Sequence, residues 1–119
     1  MLTYSSAGHN YPLIFRENKY MFELDSTGMP CGILENASYG EAMLKMKRGD
    51  IALIYTDGIT EAMNSDEMMF GEQRLKNVVS KNSHLSLADL VNSIHMELSK
   101  FVGDEPQFDD LTLVALKIK

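Results

Sequence analysis

Two short stretches of this sequence hold the side chains best suited to chemistry. In Tyr55-Thr56-Asp57-Gly58-Ile59-Thr60-Glu61-Ala62, an apolar run ends abruptly on a carboxylate followed by glycine. The end of a buried strand fixes a ligand atom well, and a hard cation such as Mg²⁺ or Mn²⁺ prefers carboxylate oxygens. Gly58 would let the backbone turn sharply just after the carboxylate. A purely local reading competes with this one, in which Asp-Gly makes a turn and Asp57 caps whatever follows. The second stretch is Asp109-Asp110, immediately ahead of a branched apolar run. Adjacent carboxylates repel each other and gain little unless a cation or a helix terminus lies nearby. Neighbouring side chains of an extended backbone point to opposite faces, so at most one of the pair should bind a given metal directly, and Asp109 is our choice. A solvated acidic loop continuing Asp104 and Glu105 explains the pair equally well when it is considered alone.

Other reactive groups offer less. His9 lies in a Gly-His-Asn turn, His84 in a polar connection and His95 on the polar side of a helical repeat, so none pairs at ligand spacing. Cys31 has no neighbouring His or basic residue to activate it, and a lone cysteine fits a reducing, cytoplasmic compartment.

The elements that must position these residues can be read from hydrophobic period. The first half alternates with period two and is punctuated by turns. Leu2 to Ser6, Pro12 to Arg16 and Tyr20 to Leu24 read as an antiparallel meander, and Tyr39 to Met46 reads as a further strand. Ile51 to Tyr55 is continuously apolar and too short for a helix, which suits a central strand covered on both faces. The stretch from Asp57 to Met69 has no apolar period and reads as a loop free to move over a site. The second half is helical in period. Leu75, Val78 and Val79 mark a helix over Glu72 to Lys81. Leu87, Leu90, Val91, Ile94, Leu98, Phe101 and Val102 form one stripe of a longer helix that starts at Ser86 and stops at Gly103. A last strand spans Leu111 to Ile118. Strands followed by helices predict an α+β domain with mainly antiparallel pairing.

Composition narrows the function classes. With 119 residues, 45% hydrophobic and 24% charged, the chain predicts one folded domain covering residues 1–119. A net charge of −6, with no basic cluster longer than Lys45, Lys47 and Arg48, argues against nucleic acid as a partner. A strand-end aspartate in a chain of this length also suits a phospho-accepting receiver domain. That fold would place its acidic pair after the first strand and alternate strands with helices, whereas here the pair precedes the last strand.

Four segments taken together resemble the C-terminal half of SpoIIE/RsbU-type PP2C-like phosphatases. They are Ser6-Ala7-Gly8-His9-Asn10-Tyr11-Pro12-Leu13-Ile14, Gly28-Met29-Pro30-Cys31-Gly32, Gly49-Asp50 through Tyr55-Thr56-Asp57-Gly58-Ile59-Thr60-Glu61-Ala62-Met63-Asn64, and Phe108-Asp109-Asp110-Leu111-Thr112-Leu113-Val114. They occur in the family's order, with Phe70-Gly71 opening a helix between the last two; the family usually has leucine where Cys31 stands. The resemblance implies a PP2C-like antiparallel β-sandwich with flanking helices, lacking the N-terminal portion of the domain. It implies hydrolysis of phosphoserine or phosphothreonine at a two-metal Mn²⁺ or Mg²⁺ centre, with Asp57 and Asp109 as metal ligands. Gly58, Asp110 and Thr112 match motif positions that support those ligands. It also implies a phosphorylated anti-anti-sigma-like protein as substrate and a sensory or receiver domain upstream. The family's other ligands precede its Ala-Gly-His-Asn motif, so the chain alone is expected to be inactive or nearly so. The open sheet edge expected of such a piece would be closed by the rest of the domain or by a homodimer. A noncatalytic interaction module on a degenerate phosphatase fold is the alternative.

Overall fold

The structure, a computed structural model, describes residues 1–107 and 109–119. The element order is β1 (Leu2–Tyr4), β2 (Leu13–Arg16), β3 (Lys19–Glu23), β4 (Ala42–Leu44), β5 (Ile51–Tyr55), α1 (Asp57–Thr60), α2 (Gly71–Asn82), α3 (Leu87–Val102) and β6 (Leu113–Lys117). Strands β3-β2-β5-β6 form one antiparallel sheet, and β1 pairs only with β4 in a second sheet. The α+β, antiparallel expectation holds, and β5 is interior as its apolar run required. The meander does not hold. Leu2 and Tyr4 pack on the far face of the larger sheet instead of extending it, because that face carries its own apolar row of Ile14, Ala52 and Leu24.

Alternation along the strands sets the layers. Leu13, Phe15, Ile51, Leu53 and Tyr55 face α2 and α3, which contribute Leu75, Val79, Leu90, Ile94 and Leu98 to one core. Residues between them in the chain, Ile14 and Ala52, face Leu2, Tyr4 and Leu44 of the two-stranded sheet and Met46 just beyond it. The result is helices, a four-stranded sheet and a two-stranded sheet stacked in that order. The smaller sheet leaves part of the far face uncovered, so Phe22, Val114 and Leu116 remain exposed. The long helix keeps its expected ends: the Ser86 hydroxyl accepts from the Asp89 N–H, and Gly103 follows the last turn with φ 64°. The β2–β3 hairpin turns through Glu17 and Asn18, both at positive φ, as a two-residue turn of matching twist requires.

The loop expected between Asp57 and Met69 is instead anchored. It begins as the short helix α1, buries Ile59, and closes on an Asn64 side chain that accepts N–H bonds from Asp66 and Met68 at 3.0 Å each. Phe70, where the loop ends, is buried against Phe101. Hydrophobic period could not reveal α1, because four residues make barely one turn. Among the described residues, no helix is long and apolar enough to cross a membrane.

One buried charge fixes the start of β5. The Asp50 carboxylate, 1% exposed, accepts from Arg16 Nε at 2.8 Å, from Arg16 Nη2 at 2.6 Å and from the Lys47 N–H at 2.7 Å. The Arg16 hydrogen bonds hold its carboxyl below the usual carboxylate range, although burial works against them. A depressed folded-state value means that the stabilisation is present above the unfolded value of about 4 and is lost as the pH falls through the folded one. Asp50→Asn is therefore expected to cost about 2–3 kcal/mol at neutral pH, with the deficit narrowing as the pH drops below about 4. Urea unfolding of both proteins at a series of pH values reads this directly.

Candidate metal centre

Strand β5 delivers its chain to the C-terminal edge of the sheet, where β6 starts alongside it. The register pairs Tyr55 with Leu113, so the residues just after β5 lie beside those just before β6. Thr56 fastens the two. Its N–H donates to the Thr112 carbonyl at 3.1 Å, and its hydroxyl accepts the Thr112 N–H at 3.2 Å while lying 3.4 Å from the Asp110 carbonyl. Thr56 is the residue before α1 and would ordinarily cap it, but its hydroxyl makes no cap bond.

Asp57, Asp109, Asp110 and Thr112 consequently line one open cleft of about 410 Å³, together with Gly8, His9, Asn10 and Thr56. Residues some fifty positions apart in sequence thus line one cleft. The Asp57 carboxylate accepts a close hydrogen bond from Asn10 Nδ2. Asp109 Oδ1 accepts the Asp110 N–H at 2.8 Å, which turns that carboxylate back along the chain. Phe108, part of the same motif, lies outside the described residues.

Gly58 plays a different part from the one its sequence suggested. Its backbone is helical, within α1, so no left-handed turn calls for glycine. The reason is a close approach: a Cβ at this position would sit 2.0 Å from the Asp110 carbonyl oxygen. The absence of a side chain lets the Asp109-Asp110 segment lie directly against α1. Behind the cleft, Gly8 has φ +83°, and a Cβ there would come within 2.6 Å of Pro30 Cγ. The Thr27 N–H donates to the Ser6 carbonyl and the Ser6 N–H to the Thr27 hydroxyl, so the Gly28–Gly32 loop backs the segment that carries Asn10.

Sequence reasoning gave Asn10 and Thr56 no role of their own and quoted them only within longer motifs. It also passed over Glu23 and Glu72, which with Tyr55 and His9 line the adjoining hollow on the other side of Asp57. Tyr55 donates to Glu72 Oε1 at 3.0 Å, and burial together with that carboxylate pushes its phenol well above the usual range. A larger, mostly apolar cavity of about 490 Å³ shares Asp109 with the cleft, is lined also by Gly58, and continues towards Leu98 and Val102.

The donor set can be tested against a divalent cation. Hard oxygen ligands are present, and among the described residues no Lys, Arg or His forms an ion pair with Asp57, Asp109 or Asp110. Like charges left unneutralised in one cleft suit a cation. Yet no group of three or more His, Cys, Asp or Glu side chains among the described residues is placed to hold a metal ion by itself. The residues fit part of such a site.

The chain resembles known proteins in sequence and in fold. The family model described as Stage II sporulation protein E (SpoIIE) matches residues 1–119. Protein IcfG of Synechocystis sp. is 31% identical over 115 residues, covering 97% of this chain and 18% of its own length. Phosphoserine phosphatase RsbU of Bacillus subtilis is 25% identical over 118 residues, covering 98% of this chain and 35% of its own length. Among solved structures, the SiaA-PP2C domain of Pseudomonas aeruginosa superposes with a TM-score of 0.76 at 17% identity, over 92% of this chain and 43% of that one. The PP2C phosphatase domain of SpoIIE from Bacillus subtilis, solved with a fragment of its regulatory domain, gives 0.65 at 20% identity, over 98% of this chain and 33% of that one. The chain thus spans less than half the length of each of these relatives. Matched by the family model from end to end, it belongs to the SpoIIE family and has the fold of part of a PP2C phosphatase domain.

Proposed function

We propose that this chain forms the carboxylate-bearing part of a metal-dependent phosphatase domain that removes phosphate from serine or threonine of a partner protein. The observation that carries this reading is the cleft in which Asp57, at the end of β5, meets Asp109, ahead of β6, with no cationic side chain paired to either among the described residues. Asp57 and Asp109 would hold Mn²⁺ or Mg²⁺. Asn10 orients the Asp57 carboxylate, and Thr56 fixes the spacing between the two segments. Gly58 admits the Asp110 backbone, and Asp110 and Thr112 support the ligands through their main chain. A divalent cation held there would neutralise phosphoryl oxygens while charge builds on the leaving serine oxygen.

The phosphoserine part of the reading is supported by the name of the RsbU relative, a phosphoserine phosphatase. The family resemblance extends it to a small anti-anti-sigma-like phosphoprotein as substrate, with a sensory or receiver domain upstream. The exposed Phe22, Val114 and Leu116 suit a sandwich whose remaining strands come from elsewhere in the domain.

The test is Mn²⁺ titration calorimetry, followed by a phosphoserine-peptide hydrolysis assay, on this chain and on a longer chain containing the rest of the PP2C domain. Tight binding and turnover confined to the longer chain are expected, since among the described residues no three His, Cys, Asp or Glu side chains are placed together to hold a metal ion. A longer chain that neither binds Mn²⁺ nor hydrolyses would instead favour the noncatalytic interaction module.

A further inference from the structure

The end of the sheet opposite the carboxylate cleft gathers positive charge that is scattered in sequence. Antiparallel register puts the end of β2, the approach to β5 and the end of β6 side by side: Phe15 pairs with Ile51, and Ile51 with Lys117. Around that edge lies a hollow of about 280 Å³ whose charged or titratable lining is Arg16, Lys47, Arg48, His84 and Lys117, with Glu17 as the single acid. This is unexpected for a chain of net charge −6. Arg16 is offset by Asp50, but among the described residues Lys47, Arg48 and Lys117 pair with no carboxylate.

The hollow is also framed by fixed contacts. Phe15 and Ile51, both buried, form part of its apolar floor. Lys117 Nζ is held by the Ser83 carbonyl at 3.1 Å and the Leu85 carbonyl at 3.4 Å, which places the ammonium at the α2–α3 junction. The Ser83 hydroxyl donates to Asn18 Oδ1, tying that junction to the β2–β3 turn on the other wall. Asp50 holds both the Arg16 side chain and the Lys47 main chain. Arg16 and Lys117 are anchored by the fold while Lys47 and Arg48 are exposed, and a bound anion would relieve the repulsion among the cations left without carboxylates.

We propose that this hollow is a second binding site, separate from the carboxylate cleft, that takes a small phosphorylated anion. Its size and concavity suit a compact group of two or more negative charges, with the exposed Lys47 and Arg48 and the anchored Lys117 in its lining. The five residues of β5 separate it from Asp57 by roughly 17 Å, so the two sites do not share ligands. The proposal stands on this geometry and does not depend on the metal reading.

The test is titration of this chain with inorganic pyrophosphate and, in a parallel arm, with ADP, both with EDTA present so that no metal mediates binding, followed by backbone amide spectra. Saturable binding is expected, with the largest shifts at Asn18, Gly49 and His84 and none at Gly58. The Lys47→Glu/Arg48→Glu double variant, altered only at exposed positions, should keep its spectrum and melting point while binding at least about tenfold more weakly. Equal affinity in the two arms supports a site that reads phosphate alone; tighter ADP supports one that also reads the nucleoside. Absence of saturation in both arms, shifts centred on the Asp57 cleft, or unchanged binding by the double variant would overturn the proposal.

Discussion

Asp57→Asn, and separately Asp109→Asn, should each abolish phosphoserine hydrolysis by the complete phosphatase domain while leaving it folded. Asn is nearly the same shape as Asp and can still accept the hydrogen bond that Asn10 gives position 57, so the cleft need not rearrange. What is lost is a full negative charge at the end of β5 or ahead of β6. With a hard divalent cation depending on those oxygens, the expected loss of activity is about three orders of magnitude or more. Thermal melting separates this from misfolding. Without metal, each variant should melt at the parent temperature or slightly above it, because one of several like charges lining a single cleft has been removed. With Mn²⁺, the parent domain should gain stability and the variants should not. If both variants hydrolyse normally, the carboxylates are only surface charge and the phosphatase reading fails.

Gly58→Val is expected to damage both fold and site. Gly58 is buried, and the atom its Cβ would meet at 2.0 Å is the Asp110 carbonyl oxygen, a main-chain atom that cannot rotate away. Either α1 or the Asp109-Asp110 segment must move, breaking the Thr56 bonds that hold β5 to the approach of β6. We expect a loss of about 2–4 kcal/mol of stability, read by urea unfolding, and loss of Mn²⁺ binding by the complete domain. Gly40→Ala is the control. There a Cβ would meet the Thr27 carbonyl at an ordinary 3.5 Å, so the change should stay within about 1 kcal/mol. A Gly58 variant as stable and as metal-competent as the control would contradict the close packing of these segments.

Much of this protein is legible in its sequence because local pattern and burial coincide. The Ser86 cap, the apolar stripe and Gly103 define α3 almost to the residue, since capping and period both act within one or two helical turns. The unbroken apolar run Ile51–Tyr55 suited an interior strand, because a strand flanked on both sides and covered on both faces buries nearly all of its side chains, here all but the half-buried Ile54. Asp57 and Asp109 could be singled out because each follows or precedes such a run, and the structure brings both to one cleft.

Other features depend on which segments meet. The partner of β1 was invisible, since Leu2–Tyr4 alternates equally well in either sheet and only the apolar row of Ile14, Ala52 and Leu24 decides where it packs. The reason for Gly58 lies in a carbonyl fifty-two residues away, and the role of Asn10 in a carboxylate forty-seven away. Lys45, Lys47 and Arg48 looked in sequence like a short basic cluster of no consequence. Antiparallel register then set Arg16 and Lys117 beside Lys47 and Arg48, which no local pattern encodes. The longer strands and helices and the candidate carboxylates, though not α1, could be read from sequence, through interactions that reach only a few residues. The assembly of the two clefts, one acidic and one basic, was decided by tertiary structure, because pairing register and sheet packing join residues that nothing along the chain connects.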